Sequence, residues 1–170
     1  MSICFQTNIT VITLTACTIL FTRSAGVAYF AVGAVSCSLS VKLLKRAIRQ
    51  PRPSGPHQKK TSYGMPSTHS ASITYFATYI PLACIYLPLH PSLPSNAPGI
   101  RILSSLVVLP WATCIVSSRV WLGHHSWPQV AVGASYGFAF ALVWFNLWCV
   151  GLNKYGGVVE SFLKINSISL

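Results

Sequence analysis

The chain has 170 residues, of which 52% are hydrophobic and 8% charged, against about 25% charged in ordinary soluble domains. That argues against a soluble globular protein. Twelve Lys and Arg face one acid, Glu160, for a formal net charge of +11. Chemistry that needs paired carboxylates, or a Ca²⁺ or Mg²⁺ cage built from them, is therefore excluded.

A bilayer core about 30 Å thick takes about 20 apolar residues of helix, and the sequence is read in those units. Residues 3–22 and 25–44 are two such runs, joined by Arg23-Ser24. Residues 70–89 form a third, expected to bend at Pro81, and residues 102–116 a shorter fourth containing Pro110. Residues 130–152 are the fifth and the most uniformly apolar. The start at Met1 lacks a basic segment, which speaks against a cleaved signal peptide. Between these runs, residues 45–64 are basic and Pro-rich, residues 90–101 are a Pro- and Ser-rich loop, and residues 117–128 are a short polar connection. The cysteines Cys4, Cys17, Cys37, Cys84, Cys114 and Cys149 lie inside apolar stretches with no CxxC pair, and read as small membrane-buried residues rather than a disulfide framework or zinc site. The expected fold is an all-α polytopic membrane bundle of about five transmembrane helices, because backbone polar groups in lipid must pair internally. It forms a single domain over 1–170, with residues 153–170 as an interfacial tail. The basic residues sit between apolar runs without a basic helix face, so nucleic acid is not an expected partner. The lipid bilayer is.

With five spans, the connections 45–64 and 117–128 and the start of the third span share one membrane face, which puts the active site at that face. They carry Lys45 with Arg52-Pro53, Pro66-Ser67-Thr68-His69, and Ser118-Arg119 with His124-His125-Ser126-Trp127-Pro128-Gln129. A phosphoryl group in transfer spreads negative charge over its oxygens, so fixed cations and N–H donors stabilise it. Lys45, Arg52 and Arg119 supply the cations. Ser67 and the amide of Thr68 stand at a helix start, where free N–H groups favour an anion. Imidazoles titrate near neutral pH and suit nucleophilic and acid–base roles.

In order and spacing these segments resemble the signature KxxxxxxRP, PSGH and SRxxxxxHxxxD of the type 2 phosphatidic acid phosphatase superfamily. The resemblance covers residues 45–129, with motifs over half the chain. Two positions depart from it: Thr68 stands where the signature has Gly, and Gln129 where it has Asp. The string YGMPSTHS looks like both the dolichyldiphosphatases and the sphingoid-base phosphate phosphatases; the segment His125-Ser126-Trp127-Pro128-Gln129-Val130, where the sphingoid enzymes keep Asp, tips the resemblance toward the dolichyldiphosphatase branch. The resemblance implies His125 as the nucleophile that forms a phosphohistidine and His69 as the general acid. It implies Lys45, Arg52, Ser67, Thr68 and Arg119 as phosphate ligands, with no metal and no cofactor. Gln129 takes the place of the residue that orients His125; an amide oxygen fixes the tautomer without supplying charge. On that reading Gln129→Asp retains activity.

The implied function is hydrolysis of dolichyl (polyprenyl) diphosphate to the monophosphate and inorganic phosphate, recycling the lipid carrier of protein N-glycosylation. The implied place is the endoplasmic reticulum membrane, with the site facing the lumen. Flanking bases alone do not set the orientation once the three phosphate-directed cations are removed from the count. The alternatives are a phosphatase for a sphingoid-base phosphate or phosphatidate, and a non-catalytic lipid-binding protein of the same fold. Superfamily members usually have six core helices, one more than is legible here. Trp111, Trp121 and Trp127 read as interfacial anchors, and His57, His90 and His124 as solvated or neighbouring polar residues.

Overall fold

The computed structural model describes residues 24–53, 63–87 and 98–158. The expected first span, the loop holding His57, the loop holding His90, and Glu160 lie outside them. The described residues form helices and no strands: α1 (Ala25–Ile48), α2 (Thr68–Tyr86), α3 (Pro98–Trp121) and α4 (Trp127–Leu147). A five-residue π-helical turn, Trp148–Leu152, continues α4, and residues 153–158 are again helical.

Each helix overlaps one of the apolar runs, but its ends differ. α1 passes beyond Leu44 to Ile48 because Lys45 and Arg46 are good helix formers and, as cations, suit a last turn. α3 begins at Pro98, a residue favoured at the first helical position. It runs to Trp121, so most of the expected connection 117–128 is helix; only residues 122–126 link α3 to α4. Ser118 is held in that last turn by a 2.7 Å bond from Oγ to the Ile115 carbonyl. Pro81 and Pro110 lie inside α2 and α3 without ending them.

By contacts the chain divides into two compact units, one of which is residues 33–146. Its inward faces repeat every four residues, the spacing that keeps side chains on one helix face. On α1 the buried positions are Gly33, Cys37 and Val41; on α2 they include Ala71, Tyr75 and Tyr79; on α4 they include Gln129, Gly133, Gly137, Ala141 and Phe145. α2 and α4 touch closely. A Cβ on Gly133 would lie 2.5 Å from the Ser67 carbonyl oxygen, and one on Gly137 would strike the Ala71 carbonyl. Small residues at this spacing let helix backbones approach. Further from the site aromatic rings pack together, with Tyr75–Tyr79 centroids on α2 5.6 Å apart and Tyr79–Phe145 between α2 and α4 5.4 Å. α3 packs on α2 through Ala112 against Ile73 and Ala77.

The outward faces are apolar too: Val35, Leu39 and Leu43 on α1, Leu106 and Val107 on α3, and Phe138 and Val143 on α4 are exposed. Two helical runs, Ala25–Ile48 and Trp127–Val158, are long and apolar enough to cross a membrane, and Ser105–Trp121 is a shorter apolar helix. Trp111, Trp121 and Trp127 are exposed. The second compact unit includes residues 24–32 and 147–158 among those described. There Tyr29 packs on Trp148 with ring centroids 4.8 Å apart.

Candidate active site

The four-residue stripes lead to the site. One helical turn beyond Val41 on the inward face of α1 is Lys45; one turn before Ala71 on α2 is Ser67; and the first member of the α4 stripe is Gln129. Core packing thus carries polar groups from three separated segments to the same end of the unit.

The α3–α4 turn sets the third segment. Gly123 has φ +68°, a left-handed conformation that L side chains resist. Around it, Gly123 N–H donates to the Val120 carbonyl (2.8 Å) and His124 N–H to the Arg119 carbonyl (3.1 Å). This bond pair is the Schellman helix ending. His125 N–H donates to the same Arg119 carbonyl at 3.1 Å. The spacing between Arg119 and His125 is therefore the spacing of a helix stop, and the turn ties their backbones together. Arg119 is 6% exposed and His125 3%.

α4 then begins with half of a capping box. Val130 N–H donates to the Ser126 carbonyl, so Ser126 is the capping residue, and Gln129 Oε1 reaches back to accept from Ser126 N–H at 3.3 Å. The same Oε1 lies 3.2 Å from His125 Nδ1. On its other side Gln129 Nε2 donates to the Pro51 carbonyl (2.9 Å) and to Gln50 Oε1 (3.3 Å). A backbone N–H only donates and a carbonyl only accepts, so these partners fix which end of the amide is oxygen. With an oxygen facing it, His125 Nδ1 carries the proton. Its Nε2 then holds the free lone pair.

The second segment closes on the same residue. Ser67 caps α2, its Oγ accepting from Ser70 N–H at 3.4 Å and from Ser70 Oγ at 2.9 Å. Ser67 N–H donates to the Gln129 carbonyl (3.1 Å), and Gly64 N–H to the Gln50 carbonyl (2.7 Å). Of the sequence-expected ligands, Ser67 therefore spends its amide and much of its hydroxyl on structure. The amides of Thr68 and His69, in the first turn, have no acceptor within the helix. His69 is half-buried and its Nε2 is buried without a hydrogen-bond partner.

Three cations gather here. Arg52 extends Nη1 to the His124 carbonyl at a long 3.5 Å, and its Nε is buried without a partner. Burial and the Arg119 charge both lower the Arg52 pKa. Burial, then Arg119, Lys45, Arg52 and His124, push His69 down to about 4. His125 is pushed to about 4 by burial and by Arg52, partly opposed by its bond to Gln129, with Lys45 and Arg119 adding to the shift. Both rings are neutral at pH 7. The described residues contain no Asp or Glu. Buried charge is costly without a partner of opposite sign, so the electrostatics of the cluster favour an anion.

Sequence reasoning missed Gln50, Ser70, Gly64 and the Gly133/Gly137 pair. A Cβ at Gly64 would collide with the Gln129 side chain. A signal for one of these features stands in the sequence, since Gly133 with Gly137 is GxxxG, and Ser126-Trp127-Pro128-Gln129 likewise reads as the S-x-x-Q capping pattern at the start of α4.

Over 109 residues the chain is 39% identical to dolichyldiphosphatase 1 of Homo sapiens, a match covering 61% of this chain and 44% of that protein. It is 31% identical over 157 residues to the dolichyldiphosphatase of Saccharomyces cerevisiae, covering 89% of this chain and 63% of that one. It is 30% identical over 131 residues to the chloroplastic lipid phosphate phosphatase epsilon 1 of Arabidopsis thaliana, covering 76% and 44%. The matches thus span about half the length of these relatives. The fold resembles the crystal structure of a transmembrane PAP2 type phosphatidylglycerolphosphate phosphatase from Bacillus subtilis, with TM-score 0.65, 22% identity, and coverage of 86% of this chain and 70% of that one. Residues 22–149 match the model of the PAP2 superfamily, and the chain belongs to that superfamily.

Proposed function

We propose that the protein is an integral membrane lipid phosphatase that hydrolyses a polyprenyl diphosphate, of the dolichyl type, to the monophosphate and inorganic phosphate. The observation that carries this reading is a neutral, oriented imidazole beside three cations with no carboxylate among the described residues. Outward apolar faces and two helical runs of membrane-crossing length support a multi-pass membrane protein. Similarity to two dolichyldiphosphatases supports the diphosphate substrate, and the proposal includes the endoplasmic reticulum membrane and a lumen-facing site.

In the proposed reaction His125 Nε2 attacks the terminal phosphorus and the bond to the bridging oxygen breaks. Its electron pair leaves with the polyprenyl phosphate, which takes a proton from His69. Water, giving a proton to His69, then attacks the phosphohistidine and releases phosphate. Lys45, Arg52 and Arg119, with the amides of the first α2 turn, hold the phosphoryl oxygens. His69 is neutral in the free site, and the charge of a bound phosphate favours its protonated form. A diphosphate also has a better leaving group than a monoester, so it needs less help from the acid.

The test is phosphate release from dolichyl diphosphate in detergent with EDTA present, with dolichyl phosphate, sphingosine phosphate and phosphatidate as competitors. The diphosphate reading expects EDTA-resistant release that the other lipids inhibit weakly. Preferred turnover of a monophosphate would favour the second reading, a phosphatase for another lipid phosphate, to which the Arabidopsis similarity lends support. No release from any of them would leave a non-catalytic lipid-binding protein.

A further inference from the structure

Gln129 does more than face His125. Its oxygen serves His125 and the start of α4, while its nitrogen holds the carbonyl of Pro51, the residue directly before Arg52. The Gln50 side chain accepts from the same nitrogen, and the Gln50 carbonyl binds Gly64. Gln129's own carbonyl takes the Ser67 amide. The side chain is 3% exposed, so water does not readily substitute for a lost partner.

From this geometry we infer that Gln129 is a positioning residue whose amide nitrogen latches the Arg52 segment onto α4, so that the site needs a carboxamide at 129 and a carboxylate there disrupts it. A carboxylate offers oxygen on both sides. It can serve His125 and Ser126, but towards Pro51 it sets acceptor against acceptor. The departure from the family signature at this position is thus matched by two acceptors, the Pro51 carbonyl and the Gln50 side chain. The retention of activity expected for Gln129→Asp from sequence alone is replaced by loss.

The inference rests on Arg52 binding the substrate's phosphate, as in the proposed function, and two variants of the full chain in detergent test it. Gln129→Met keeps the length and neutrality but removes donor and acceptor. Inorganic phosphate, titrated calorimetrically, is expected to bind about tenfold more weakly, as the loss of one buried hydrogen bond allows. A residue that only oriented His125 would leave phosphate affinity within about twofold, and that result overturns the latch. Gln129→Glu keeps the acceptor and removes the donor. The latch predicts a KM raised about tenfold with kcat changed much less, whereas KM and kcat at or better than native would contradict it. Each variant decides alone, provided its melting temperature and elution show it folded. Phosphate binding needs no turnover, so a native protein that released no phosphate from any lipid would sink the proposed function and leave the calorimetric test of the latch intact.

Discussion

His125 illustrates how far a single residue can be read. Its type and its distance from Arg119 are plain in the sequence. Its tautomer is not, because that depends on which end of the Gln129 amide meets Pro51, a contact across 78 positions. The protonation state is likewise a product of burial and of three cations from two separated segments. Nitrogen-15 NMR of histidine-labelled protein in detergent should show His125 neutral, with its proton on Nδ1, down to about pH 5; titration near 6.5, or a proton on Nε2, contradicts this. The same shift sets a stability trend. His69 and His125 are held near 4 against an ordinary 6.5, so between those values the unfolded chain binds protons that the folded one refuses. Their contribution is full above pH 6.5, falls as the pH drops towards 4, and levels off below. Thermal unfolding across that window should show the decline, and His69→Gln with His125→Gln should flatten it.

At the scale of elements, four helices were legible because each overlaps a long apolar run, and their ends were not. Hydropathy stops at Leu44 and Val116, yet α1 and α3 continue to Ile48 and Trp121, since hydrogen bonding and packing rather than apolarity end a helix. The stop after α3 is set by Gly123. Gly123→Ala, with open space around the added carbon, meets only backbone strain, about 1–2 kcal/mol. It should lower the melting temperature modestly and cut phosphate release more, because the turn also aligns His125 with Arg119; unchanged release would show the alignment to be unnecessary. The α2–α4 contact predicts differently. Gly137→Val forces atoms into the Ala71 backbone, an overpacking cost of about 1–3 kcal/mol, whereas Gly99→Ala, in open space, should melt close to native. Equal effects at the two positions would refute close helix approach.

For the whole molecule, the sequence shows what is missing more clearly than how the parts meet. One acid against twelve bases already implies that clustered cations meet few carboxylates, and the described residues contain none. The four-residue stripes that bring Lys45, Ser67 and Gln129 to one end can be traced in the sequence once the helices are known, but side-chain bonds such as Gln129 to Pro51 require the folded chain. An anion that neutralises the cluster should stabilise the fold by mass action. Inorganic phosphate should raise the melting temperature, Arg52→Gln should blunt that rise, and an equal rise in both would place the anion elsewhere. The most direct measurement is covalent. Dolichyl diphosphate radiolabelled at its terminal phosphorus, mixed with the protein and quenched in base, should leave a base-stable, acid-labile label that His125→Ala abolishes. Label that survives in His125→Ala, or turnover in the native protein with no label formed even when His69→Ala slows hydrolysis, would contradict a phosphohistidine at His125.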